Sequence, residues 1–176
     1  MWNTISRMWR TGLLTEPLPV LEQAFVASSP NFDGLQAELL TVLGRALCIR
    51  HVDAGSCNGC ELEIQALHNP YYNLEGAGIQ FVASPRHADL LLVTGPVSVN
   101  MEEALRRTYD AMPAPKLVIA IGDCGACGGI FGASYASRGG VANILPVNAT
   151  IPGCPPTPTD ILRGILRTVR PVLAKP

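Results

Sequence analysis

The sequence is short of charge. Lysine, arginine, aspartate and glutamate supply only 15% of its 176 residues, against an average near 25%. A chain with so few charges has less surface suited to open water, and its composition points to large protein partners. A compact fold rich in glycine and proline, with 17 and 15 residues respectively, is the blander reading of the same numbers. There is no basic block, and the net charge is −1, which excludes a nucleic-acid reader of the usual electrostatic kind. No apolar run reaches the roughly 18–20 residues that a membrane span needs. "LLLV" (90–93) and "LVIAI" (117–121) are of strand length. The first residues show no apolar core followed by small residues, so a signal peptide is not expected. Internal repeats and low-complexity segments are missing as well.

What is present divides unevenly. Residues 1–31 read as an irregular N-terminal arm that faces a membrane or a partner. Trp2, Met8, Trp9, Leu13 and Leu14 stand there beside Arg7 and Arg10, the pattern of an amphipathic segment lying on an interface; a frayed tail fits the same residues. Residues 32–176 read as a single α/β domain. Apolar spacing predicts helices over 32–47, 61–69, 101–112 and 159–169, the last capped by Thr157 or Thr159. Strands are expected at 48–53, 79–83, 88–95, 116–122 and 144–148, and loops at 123–132 and 151–158. Strands alternating with helices indicate a mostly parallel sheet flanked by helices. Ligands of such sheets sit beyond the carboxyl ends of the strands.

Six cysteines in a chain without secretion signals argue against a disulfide framework. Cys48 lies within "RALCIRHV" and reads as a core residue. The other five fall in loops rich in glycine and proline: Cys57 and Cys60 in "CNGC", Cys124 and Cys127 in "CGAC", and Cys154 in "PGCPP". A thioredoxin-like pair would use the first two and leave the rest unexplained. Zinc accepts two CxxC pairs but leaves "PGCPP" idle. An iron–sulfur cluster takes four thiolates from scattered loops. Nearby glycines let backbone N–H groups approach its sulfides. The chemistry favours the cluster over zinc.

The motifs "CNGCE", then "GDCGACGG" after a strand, then "PGCPP" resemble the small subunit of nickel–iron hydrogenases and its relative in respiratory complex I. The resemblance runs over about residues 48–168 and includes the stretch "SPRHADLLLVTGPVSVNMEEALRRTYDAMPAPKLVIAIGDC". It implies a flavodoxin-like fold holding one 4Fe-4S cluster on Cys57, Cys60, Cys124 and Cys154, with Cys127 outside the ligand set as a buried neighbouring thiol. "CNGC" resembles the hydrogenase branch, because the complex I relative has adjacent cysteines in this motif. No twin-arginine leader and no cysteine or histidine after Cys154 are present. The short form is similar to the membrane-bound, energy-converting hydrogenases, including those of formate hydrogenlyase and CO-linked systems. The resemblance then implies three kinds of partner: a large subunit with a nickel–iron centre, a ferredoxin-like iron–sulfur subunit, and membrane-arm subunits. It also implies a peripheral position on the cytoplasmic side of the cell membrane. A complex I-like module without nickel, and a zinc-stabilised binding module, are the competing expectations.

Two carboxylates follow the first motif. Glu61 suits the first turn of a helix through the helix dipole. By resemblance that helix faces the large subunit, so Glu61 or Glu63 is also a candidate proton relay or contact for a partner's basic residue. His51, His68 and His87 read as surface or hydrogen-bonded residues. Tyr71, Tyr72 and Met101 read as packing. Glu102 and Glu103 stand four residues before Arg106 and Arg107 and read as helix-surface ion pairs.

Overall fold

The structure, a computed structural model, describes residues 45–173. The expected N-terminal arm and most of the helix expected over 32–47 lie outside the described residues. Five parallel strands form one sheet: β1 (Leu47–Asp53), β2 (Ile79–Phe81), β3 (Leu90–Thr94), β4 (Leu117–Ile121) and β5 (Ala149–Ile151), in the order β2-β1-β3-β4-β5. This is the flavodoxin-like order, whose direction of winding reverses between β1 and β3. Among the described residues four α-helices connect or flank the strands: α1 (Gly59–Ala66), α2 (Val99–Asp110), α3 (Gly122–Cys127) and α4 (Pro158–Leu173).

Alternation along each strand divides the core into two layers. Leu47, Ile49, Leu90, Leu92, Ile119 and Ile121 point to one face, where Ile64 of α1 and Leu67 just past its end are joined by Ile161, Leu162, Ile165 and Val169 of α4. Leu91, Val93, Val118 and Ala120 point to the other face, against Leu105, Met112, Val141 and Leu145. All five residues of β3 and all five of β4 are buried. That is why these strands read as continuous apolar runs rather than as alternating ones. Thr157 caps α4: its Oγ1 accepts the Asp160 N–H at 3.3 Å.

Four expectations need correction. Residues 122–127 are a short helix, not a loop. Two glycines in six residues hide it from propensity; a bond from another loop supports it, and Gly128 in the left-handed region ends it. The strand expected at 144–148 lies at 149–151 instead. Pro146 removes a ladder donor, and the segment before β5 is a 3-10 turn at Val141–Asn143 followed by irregular chain. Cys48 is half-buried rather than in the core, since β1 turns it away from Leu47 and Ile49; its Sγ lies 3.6 Å from the Ala46 carbonyl. Tyr71 is 82% exposed and packs only edge-on against Tyr72. The helix-surface pairs are as read: Glu102 meets Arg106 and Glu103 meets Arg107. Arg138 also reaches Glu102 at 2.7 Å and ties the loop after α3 to α2.

Ile119 lies at the centre of the larger layer with no exposed surface. Ile119→Ala is expected to lower unfolding stability by about 2–5 kcal/mol. Thr150→Ala, at an exposed site on the edge strand, should stay within about 0.5 kcal/mol. Urea unfolding followed by circular dichroism checks both.

Candidate metal centre

Three connecting loops leave the carboxyl ends of β1, β4 and β5, the first running into α1 and the second turning at once into the short helix α3, and each connection carries cysteine. The first loop is organised by Asp53 at the end of β1. Its Oδ1 accepts the N–H groups of Gly55 at 2.8 Å and Ser56 at 2.7 Å, an Asx-type turn. Ser56 Oγ then accepts the Asn58 N–H at 3.0 Å. Asn58 takes the left-handed conformation, which asparagine tolerates, and α1 starts after it. One turn of chain thus presents an exposed Cys57 and a buried Cys60.

The second loop begins at Gly122 with φ of +76°; a Cβ there would lie 2.9 Å from Cys60 Sγ. Only glycine lets the two loops approach this closely. Behind Cys124 the chain folds back at Gly129, where a Cβ would come within 2.7 Å of Cys124 Sγ. The third loop brings Cys154, which is exposed. Cys57, Cys60, Cys124 and Cys154 line one cavity of about 140 Å3, walled further by Pro96, Pro155 and Phe131. Gly95 and Pro96, beyond the end of β3, complete the wall, so the cavity lies at the switch point of the sheet.

The sulfurs surround a volume rather than meet at a point. Among the described residues, no group of three or more His, Cys, Asp or Glu side chains is placed to hold a metal ion. Burial pushes the Cys60 thiol up to about 12, helped by Glu61, Cys124, Cys57 and Cys154. Burial also raises Cys124, followed by Cys154, Cys57, Asp123 and Cys127. The neighbouring cysteines thus oppose ionisation of Cys60 and of Cys124, and cationic charge between them would relieve both.

Cys127 is absent from the cavity wall. It is exposed, and its thiol donates to the Asp123 carbonyl at 3.2 Å; the expected buried neighbouring thiol is therefore a surface thiol. Glu61 is 8% exposed, and neither carboxylate oxygen has a hydrogen-bond partner. Glu63, two residues on, is half-exposed. Strand alternation places His51 under α1. Its Nε2 is 3.0 Å from Thr94 Oγ1 and 3.8 Å from Glu61 Oε1. Burial lowers the His51 pKa, Glu61 and Asp53 pull it back, and Arg50 adds to the lowering.

Sequence reasoning passed over the loop after α3. Ile130, Phe131 and Tyr135 are 93%, 59% and 99% exposed there, and Phe131 walls the cavity. The available clue was three large apolar side chains in the glycine- and serine-rich "GGIFGASYASRGG", where solvent alone would select polar ones. Among the described residues no helix is long and apolar enough to cross a membrane.

Comparison with known proteins agrees with this geometry. The chain is 45% identical over 130 residues to the probable membrane-bound hydrogenase subunit mbhJ of Pyrococcus furiosus, covering 74% of this chain and 78% of that one. It is 43% identical over 148 residues to formate hydrogenlyase subunit 7 of Escherichia coli K12, covering 84% of this chain and 56% of the relative. A chain in the structure of the membrane-bound sulfane sulfur reductase, an archaeal respiratory membrane complex, superposes with a TM-score of 0.60 at 29% identity, over 79% of this chain and 73% of that one. The family model for the NADH ubiquinone oxidoreductase 20 Kd subunit matches residues 57–168, from the first cavity cysteine to the last turns of α4. The chain belongs to that family of oxidoreductase subunits.

Proposed function

We propose that the chain is the electron-transfer small subunit of a membrane-associated nickel–iron hydrogenase complex, and that Cys57, Cys60, Cys124 and Cys154 hold one 4Fe-4S cluster. The observation that carries this reading is the convergence of four thiols from three loops on one cavity at the switch point of the sheet. The similarity to hydrogenase and formate hydrogenlyase subunits supports the choice of branch.

When bound, the cluster supplies one-electron exchange. The rest falls to the chain. Four thiolates ligate the iron. Gly122 and Gly129 leave room for sulfur where any side chain would collide. Pro96, Pro155 and Phe131 keep water from the walls, and a dry wall strengthens every charge interaction inside it. Ile130 and Tyr135, exposed on the same loop as Phe131, add apolar surface suited to burial by the large subunit that holds the nickel–iron centre. A ferredoxin-like subunit then exchanges electrons with this one. Membrane-arm subunits hold the assembly at the cytoplasmic side of the membrane. The catalytic nickel–iron chemistry belongs to the large subunit, and none of it is assigned to this chain.

A nickel-free, complex I-like reading is the second. The likeness to the sulfane sulfur reductase chain favours it. Metal content separates the two. The intact complex, purified through this chain, is expected to contain nickel as well as about four iron atoms attributable to this chain. Iron without nickel would move the function to the second reading. Zinc in place of iron would overturn both. Cys57→Ser or Cys154→Ser should abolish this chain's reduced-cluster EPR signal, and Cys127→Ser should leave it.

A pH effect follows from the electrostatics. With the Cys60 thiol up at about 12, loading must displace its proton near neutrality. Thiolate is the ligating form, so the rate of cluster reconstitution into the apo chain should rise as pH increases over roughly 7 to 9. A flat profile would show that deprotonation of buried thiols does not limit loading.

A further inference from the structure

Cys124 and Cys154 lie on different loops, and one residue joins those loops. The Asp123 N–H donates to the Gly153 carbonyl at 2.9 Å. The Gly153 N–H donates back to Asp123 Oδ1, also at 2.9 Å. The two bonds form a ring between the residue before Cys124 and the residue before Cys154. The Asp123 carbonyl serves the same loop: it accepts the Gly129 N–H at 3.2 Å, which holds the chain folded over Cys124.

A carboxylate in the first turn of a helix often needs no other explanation than the dipole. That account is weak here. Helix α3 has only six residues, and the Asp123 carboxylate bonds to another loop instead of to its own helix. It lies near enough to Cys124 to act on it electrostatically. The structure assigns Asp123 as a positioning residue: its carboxylate clamps Gly153 and so sets the spacing between Cys124 and Cys154 for the cluster. This rests on the reading that both thiols are cluster ligands. The carboxylate also places a fixed negative charge beside the site, which favours the more positive, oxidised state of a bound cluster.

The two roles separate by substitution. Asp123→Ala removes both acceptor and charge. Asp123→Asn keeps an oxygen acceptor of the same reach and removes the charge. Each variant is made in the full-length chain within its complex, and iron content, EPR line shape and midpoint potential are measured beside the unsubstituted complex. The alanine variant is expected to lose at least half of this chain's cluster iron, or to hold a cluster with a broadened signal. The asparagine variant should restore the iron content and the line shape, with the potential shifted positive. Alanine at full iron content with unchanged line shape and potential would overturn the clamp. So would asparagine failing as badly as alanine, and that outcome decides the matter even if the alanine chain does not assemble. A simple loss of folding stability would not produce restored iron together with a shifted potential. If the unsubstituted complex contains no cluster in this chain, the fault lies with the proposed function and not with the clamp.

Discussion

One row of the sheet places the whole site. Asp53 of β1 is in register with Thr94 of β3, Thr94 with Ile121 of β4, and Ile121 with Ile151 of β5. Four strands therefore end level, and each releases its chain within a residue or two of that row. Gly95, Gly122 and Gly153 all appear just beyond it. A register slip of one residue would turn the buried face of a strand toward the opposite layer. Because both layers are packed with Leu, Ile and Val, such a slip is prohibitive. The hydrophobic core thus fixes where the sulfurs lie, although no sulfur of the cavity belongs to a strand.

The cost of that arrangement is electrostatic. Four thiols share one cavity with few charges to balance them. Burial, with the neighbouring acidic groups and thiols, raises the Cys60 and Cys124 thiols above their ordinary range. Glu61 adds a carboxylate with no hydrogen-bond donor, and the imidazole of His51, depressed by burial, stands 3.8 Å away. Unpaired buried charge is costly. A cationic core among these thiols would offset the effects that raise Cys60 and Cys124. Asp123 belongs to the cavity lining as well: it is exposed to solvent, and its Oδ1 accepts the Gly153 N–H.

How much of this could be read from residues alone follows from the range of the forces. β3 and β4 were legible because a strand buried on both faces leaves an unbroken apolar run. The loops were legible because cysteine, glycine and proline cluster where chain geometry is unusual. Helix α3 was not, since its propensity is poor and its support comes from Gly153, thirty residues away in sequence. β5 was displaced because Ile144, Leu145 and Val147 are apolar for packing against the α2 layer, not for pairing in a strand. The pairing of His51 with Thr94 and Glu61 depends on strand alternation and on a helix crossing above it, and spacing along the chain reveals neither. The expected position of Cys48 failed for the same reason: apolar neighbours in sequence were on the other face of the strand.

The exposed loop after α3 connects assembly to redox chemistry. Arg138 and Glu102 anchor one end of it to α2, and Gly128 and Gly129 fold the other end over Cys124. Between these anchors, Ile130, Phe131 and Tyr135 face solvent, and Phe131 lines the cavity. Covering them removes apolar surface from water, which favours docking by about 25 cal/mol for each Å2 buried. The same covering takes water from the cavity mouth and lowers the dielectric around the thiolates. Under the proposed function, partner affinity and cluster potential are therefore two consequences of one contact. A substitution that makes this loop polar would change both together, whereas a change at Asp123 acts through its bonds to Gly153.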